Sequence, residues 1–494
     1  MTTPDASPPD LSEHDSAWAA SAAASDATRA AVANPAAAGI APPAVLTYSY
    51  LRTFGNCKRM AQLGYELRLE PLAERAESLR FGTIWHSAME SRDLAVVGTL
   101  PGAGNIMTSP DDVVHAATVA PILSATPLAD QALTAPSPAA HDQRQMRLRL
   151  LGMVAAYERK WGVRDIEFRA HVIESPGEPN RPCVELPFGG PIVNPETGAK
   201  SRTFSLAGKV DEVADLLAEI DPVTGNPQLW LVERKTATTI DGAYLARLVL
   251  DAQLRIYVHY LRAHMRLPVV GAIYDVAGKP GLKLGEGETD AEWQARVAEK
   301  VAAIRADMQA AGADPGETEA EFAARHTEAC AKSKSGKSAI KRKMPETPEE
   351  FAARIEKKIV AWTASDAAQR KLPEPDTDYL ARLAEWFEAR DLEPGKERFH
   401  RERVLFSDDS IDEVREDVWD LGQQVLAARR RGKWSRNETQ CFVYGHECRF
   451  WPICSAGRAG AEMVTANLYR VRPADETHPE LKPGGVDEIA PKSF

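Results

Sequence analysis

Between residues 184 and 233 the apolar positions fall at every second place. Val184 to Phe188, Thr203 to Ala207, Lys209 to Leu217 and Leu229 to Glu233 are short alternating runs bounded by Pro, Gly and Asn. Alternation with such boundaries predicts four strands, and residues 190–201 carry the turn residues of a hairpin connection. On either side the period changes to that of helices. Thr47 is placed to cap a helix carrying Tyr48, Leu51, Phe54 and Cys57. Further helices are predicted around Phe81–Glu90, 142–161 and 241–265. Strands framed by helices in this order predict an α/β or α+β core with a mixed sheet.

The flanks have a different texture. Residues 1–44 are rich in Ala, Pro, Ser and Asp and read as a disordered tail. A core is expected over 45–280, interrupted at about 100–138 by a Pro-, Ala- and Thr-rich loop insertion. Residues 281–375 read as a helical insertion, because Glu288–Arg296 recurs as Glu317–Arg325 and again as Glu346–Arg354, with starts 29 residues apart. Each copy has Thr followed three residues later by Glu, a capping box that opens a helix. A local duplication accounts for this better than a solenoid. Residues 376–470 are expected to form a helical C-terminal region with a cysteine cluster, and 471–494 a tail.

Composition narrows the function. The 494 residues are 44% hydrophobic and 27% charged, with a net charge of −11. An acidic balance argues against a protein that coats nucleic acid, so any such contact has to be local. The chain has no apolar run long enough for a membrane span and no basic-then-apolar leader, so neither a membrane nor a secretory route is expected. Six cysteines in this length do not make a disulfide framework. A cytoplasmic, reducing setting is expected, where clustered cysteines point to metal.

The candidate chemistry sits on the strands. Glu233 and Lys235 flank Arg234, and residues two apart on a strand share a face. Asp211, in the strand upstream, is placed to converge with Glu233 on a divalent cation. Carboxylate oxygens suit Mg²⁺ or Mn²⁺, and Lys235 is placed to orient water or offset charge on a phosphate. Four patterns then occur in a characteristic order: Gly82-Thr83-Ile84-Trp85-His86, Gly208-Lys209-Val210-Asp211, Glu233-Arg234-Lys235-Thr236 and Gln253-Leu254-Arg255-Ile256-Tyr257. In this the chain resembles the RecB-like branch of the PD-(D/E)XK nucleases over about residues 40–275. The resemblance implies a restriction-endonuclease-like α/β fold, His86 as a metal ligand beside Asp211 and Glu233, and Gln253 and Tyr257 on one helix face reaching the site or a DNA strand. Glu185, or else Glu174, is a candidate additional acidic ligand.

Cys441, Cys448 and Cys454 lie close together near the C-terminus and suggest soft-metal ligation. The resemblance extends to the iron-sulfur subgroup of these nucleases, which implies Cys57 as fourth ligand and a [4Fe-4S] cluster that ties the first helix to the last segment. The spacing departs from that subgroup's usual close first pair. Zn²⁺ is the alternative metal and His446 an alternative ligand, while Cys183 and Cys330 have no partner spacing. Ala331–Ser338 has Ala where a phosphate loop needs its first Gly and follows no apolar strand, so no ATP motor is expected. Lys332 to Lys343 and Arg429 to Arg436 are basic runs. In the second, Arg430, Arg431 and Lys433 are candidates for DNA phosphates and Trp434 for stacking on a base.

The expected function is a metal-dependent DNA exonuclease acting at linear duplex or single-stranded ends in recombination, repair or phage DNA processing. The alternatives are a non-catalytic iron-sulfur or zinc DNA-binding protein on the same scaffold, and an adaptor whose repeated helices dock a recombination or single-strand-annealing partner.

Overall fold

The computed structural model describes residues 42–72, 77–98, 109–127, 138–165, 167–174, 180–310, 318–340, 347–443, 446–478 and 481. Most of the expected N-terminal and C-terminal tails lies outside these. The chain divides into two compact units. The first comprises Met1–Pro127, Arg149–Gly281 and Leu383–Phe494, and the second Leu128–Leu148 and Leu282–Arg382.

A seven-stranded mixed sheet organises the first unit. It is built from β1 (Val45–Leu46), β3 (Phe168–Ala170), β4 (Val184–Val193), β5 (Lys200–Ile220), β6 (Pro227–Ala237), β7 (Val269–Gly278) and β8 (Phe399–Leu405). A separate strand β2 (Leu69–Pro71) pairs antiparallel with β9 (Tyr469–Val471). β4, β5 and β6 form an antiparallel meander. β7 then joins β6 in parallel, so the chain crosses over through helices α5 (Gly242–Leu248) and α6 (Ala252–Ala263). Two-residue alternation along β6 explains the layering. Leu229 and Leu231 enter the large core shared with α1 (Tyr48–Asn56), α6 and α11 (Asp408–Arg431). Trp230 and Val232 enter a smaller core with Phe168, Leu216 and Ile273.

The main helices α2 (Glu77–Gly98) and α4 (Pro138–Trp161) lie where the sequence pattern places them, and Thr47 caps α1 by accepting from the Tyr50 amide at 3.1 Å. Four features differ from expectation. Residues 203–217 form one strand, not two, because Gly208 continues it. The helix expected over 241–265 breaks at Val249–Leu250, where Asp251 starts α6 by accepting from the Gln253 amide at 2.8 Å. The expected loop at 100–138 contains α3 (Pro110–Ala125), whose Ser109 cap and leading Pro110 are helix-start chemistry hidden in a small-residue composition. The expected helical C-terminal region contributes β8, which pairs with β7 from Phe399↔Ala277 to Leu405↔Gly271. A strand that completes a distant sheet carries no local signal of its partner.

The two ends of the first unit are joined by the protein's own contacts. Arg429 on α11 donates to Glu66 Oε1 at 2.8 Å and to the Pro43 carbonyl at 2.8 Å. The β2–β9 pair adds a second tie.

In the second unit the repeats begin α7 (Asp290–Ala310), α8 (Glu319–Lys332) and α9 (Pro348–Thr363). Thr289, Thr318 and Thr347 each accept from the amide of the Glu three residues on, and each Glu reaches back to the Thr amide. Val301 and Ile304 of α7 pack on Phe351, Ile355 and Ile359 of α9. Thr347→Ala removes one reciprocal cap and should cost α9 about 1 kcal/mol. Hydrogen exchange should show its first-turn amides opening several-fold faster while the sheet amides are unchanged.

Candidate active site

The site forms where two strands part. The β5–β6 ladder stops at the Glu212–Val232 pair, whereas β6 runs on beside β7 to Ala237. Just past that point the Arg234 amide donates to Asp211 Oδ2 at 2.7 Å. Asp211, Glu233 and Lys235 project to the same side of the opened strands, as the two-residue period requires. Glu233 Oε1 accepts from the Lys235 ammonium and, at 3.1 Å, from Gln253 Nε2. From α2, His86 Nδ1 comes within 3.5 Å of Asp211 Oδ1. Five of the residues singled out in the sequence therefore meet in one place.

The others support them or lie apart. Tyr257 is buried and reaches the site through its hydroxyl, which accepts from Gln253 Nε2 at 3.2 Å. Its ring meets Phe188 edge-on, with centroids 4.9 Å apart. Phe188 in turn lies over Gly208, where a Cβ would collide with the ring. This gives the glycine three residues before Asp211 a physical reason. Gly82 is under no such constraint: a Cβ there would stand 3.4 Å from Thr236 Oγ1, an ordinary contact, which places α2 beside the end of β6. Glu185 pairs with Lys209 on the strand beside Asp211, whereas Glu174 is exposed on the loop that follows Ile173.

Charge is concentrated here. Burial pushes the Glu233 carboxyl up to about 7 against the pull of Lys235, and the neighbouring Asp211 adds to the rise. Burial also raises Asp211, but His86, Lys235 and the Arg234 amide outweigh it and hold that carboxyl well below the ordinary range. Burial opposes the charge on Lys235 too, yet Glu233 and Asp211 keep its ammonium well above the usual value. His86 is held above its ordinary value because Asp211 and Glu233 outweigh its burial. Glu90, one helical turn after His86, is raised by burial and by Glu185. It was missed in the sequence, although its four-residue offset from His86 on one helix face was the available signal.

A family model for the PD-(D/E)XK nuclease superfamily matches residues 45–359. The chain belongs to the PD-(D/E)XK nuclease superfamily. No curated protein matches it. The mixed sheet flanked by helices suits a PD-(D/E)XK core, and Asp211 with Glu233 and Lys235 occupies the parted strands of that core. Oxygen donors of this kind suit a hard divalent cation, whose charge would offset the burial and the Asp211 repulsion that raise Glu233. Among the described residues, no three His, Cys, Asp or Glu side chains are arranged to hold a metal ion as they stand.

Four of the cysteines gather at a second place. Cys57, Cys441, Cys448 and Cys454 line one cavity with Met60, Phe450, Trp451 and Arg436. Burial, together with the other thiols, holds Cys441 and Cys448 above the ordinary value. Cys183 is buried in the main core and Cys330 lies on α8 beside His326, and neither lines this cavity. The side chain of His446 lies outside the described residues. Arg430, Arg431 and Lys433 are exposed at the end of α11. Trp434 is half-buried and packs edge-on against Phe54, with ring centroids 6.0 Å apart.

Gly208→Ala forces the Phe188 ring aside. It should destabilise the protein by about 1–3 kcal/mol, and Gly208→Ala/Phe188→Leu should recover part of that loss. Equilibrium unfolding in urea measures both.

Proposed function

We propose that this nuclease hydrolyses phosphodiester bonds at DNA ends, using Mg²⁺ or Mn²⁺ held by Asp211, Glu233 and His86, and that Lys235 and Gln253 complete the machinery. The observation that carries the proposal is the convergence of two carboxylates, an imidazole and an ammonium at the parted strands. The bound cation would polarise the scissile phosphate and make a water acidic enough to attack. The chain's own residues do the rest. Lys235 offsets charge that develops on the phosphate. Gln253 fixes one Glu233 oxygen and Tyr257 fixes Gln253. Arg430, Arg431 and Lys433 are offered as phosphate contacts, and recombination, repair or phage DNA processing as the setting.

The test is cleavage of end-labelled linear duplex, with a covalently closed circle in parallel. Lys235→Ala and Asp211→Ala should each lower the rate roughly 1000-fold, and the circle should survive. Equal rates in wild type and both variants would contradict the site. Binding without cleavage by wild-type protein would favour the alternative, a non-catalytic DNA-binding protein on this scaffold.

Metal loading has a sign that follows from Glu233. Below about pH 7 its carboxyl keeps a proton that a cation has to displace. Mn²⁺ affinity, followed by electron paramagnetic resonance, should therefore fall at least about tenfold per pH unit below that point, since His86, raised as well, also has to lose its proton. A flat profile would contradict Glu233 as a ligand.

We further propose that Cys57, Cys441, Cys448 and Cys454 hold a [4Fe-4S] cluster. Four thiols on one cavity match the four ligands such a cluster takes. Protein purified without oxygen should show a broad visible absorption that Cys448→Ser abolishes. A colourless protein containing one zinc would replace iron by zinc at the same residues.

A further inference from the structure

Behind the site, on the other side of the same strands, lies a buried layer of charge. Arg234 is 2% exposed and Glu212 1% exposed. The Arg234 guanidinium donates to Glu212 Oε2 at 2.7 Å and stands 2.9 Å from Asp93 Oδ2. Asp93 belongs to α2, about two turns past His86, and also takes a bond from Arg92 at 3.2 Å. The layer continues outward. Arg401 of β8 bonds Asp165 and lies 3.0 Å from the Tyr157 hydroxyl, which donates to Asp275 Oδ2 of β7 at 2.5 Å.

The position of Arg234 within this layer is distinctive. Its amide holds Asp211 on one side of the sheet, while its side chain grips β5 through Glu212 and α2 through Asp93 on the other. Glu212 and Asp211 are adjacent on β5, and Arg234 lies between Glu233 and Lys235 on β6. One residue thus touches every element that supplies the site's first four side chains. It does so at the point where the β5–β6 ladder no longer holds the strands together.

We propose that Arg234 is a positioning residue: by clamping Glu212 and Asp93 beneath the sheet it sets the separation of β5, β6 and α2, and so the spacing of Asp211, Glu233, Lys235 and His86. The proposal rests on the nuclease reading of that site and adds the device that holds it. The chemistry of the layer fits a clamp better than a source of stability. Buried ion pairs contribute little net stability, because desolvating the charges offsets their attraction, and apolar replacements of both partners are often tolerated. The Arg234 fork reaches both carboxyl groups through one nitrogen, Nη2, and its planar geometry fixes their direction, which a lysine ammonium on a flexible stem does not.

The decisive variant is Glu212→Leu/Arg234→Met, which replaces the facing pair by apolar side chains and leaves Asp93 with Arg92. It is compared with Arg234→Lys, which keeps the charge and loses the fork. Four quantities are read: the melting temperature, kcat and KM on end-labelled duplex, and Mn²⁺ affinity by electron paramagnetic resonance. The clamp predicts a double variant that melts close to wild type, with kcat down about 100-fold, since a displacement near 1 Å has that effect. KM should change by less than about twofold and Mn²⁺ should bind more weakly, with Arg234→Lys between the two. A double variant that folds with wild-type kcat and Mn²⁺ affinity overturns the clamp. If the double variant does not fold, Arg234→Lys decides by the same split. Wild-type protein that cleaves no DNA would sink the nuclease reading instead, and Mn²⁺ affinity alone would then judge the clamp.

Discussion

The hydrogen bond from the Arg234 amide to Asp211 is the contact on which the rest of the site depends. Two antiparallel strands normally hold each other residue by residue. Here β5 and β6 cease to pair after Glu212 and Val232, and a side chain takes up the neighbouring backbone donor. Parting the strands opens room for substrate at a place where the backbone is still rigid, because β7 continues to pair with β6 on its far side. A carboxylate fixed by a backbone amide has little freedom to swing, which suits a group that has to meet a reacting phosphate in one geometry.

Electrostatics divides the sheet into two sides with different tasks. On the open side, Asp211, Glu233, Lys235 and His86 carry charges that burial and close approach have shifted in opposite directions. Such divergence between adjacent carboxyls is the mark of groups poised to exchange protons or cations. On the closed side, Arg92, Arg234 and Arg401 meet the buried carboxyl groups of Asp93, Glu212, Asp165 and Asp275. Burial there raises Glu212 to about 8, with Asp93 adding to the rise and Arg234 opposing it, and burial raises Asp93 as well. The closed side links β5, β6 and α2 beneath the open one.

Much of this was legible in the sequence, for reasons that are local. Thr47, the alternation of β6 and the capping boxes of the repeats announce their elements because their chemistry acts within a few residues. The site residues were legible through their spacing, which packing now explains: Gly208 leaves room for Phe188, Phe188 supports Tyr257, and Tyr257 holds Gln253 against Glu233. What stayed hidden is long-range. Strand β8 has its partner more than a hundred residues away, Trp434 finds Phe54 across most of the chain, and the break before α6 depends on one aspartate in an otherwise continuous helical pattern. The role of Arg234 was invisible for the same reason, since a strand arginine facing away from the site reads as solvated until the helix that covers it is known.

Diffraction at the manganese absorption edge, from crystals soaked in Mn²⁺, tests the central claim most directly. The account predicts an anomalous peak within bonding distance of the Asp211 and Glu233 carboxylates with His86 beside it. A peak elsewhere in the molecule, or none at that place in protein active in the same Mn²⁺ buffer, would contradict it.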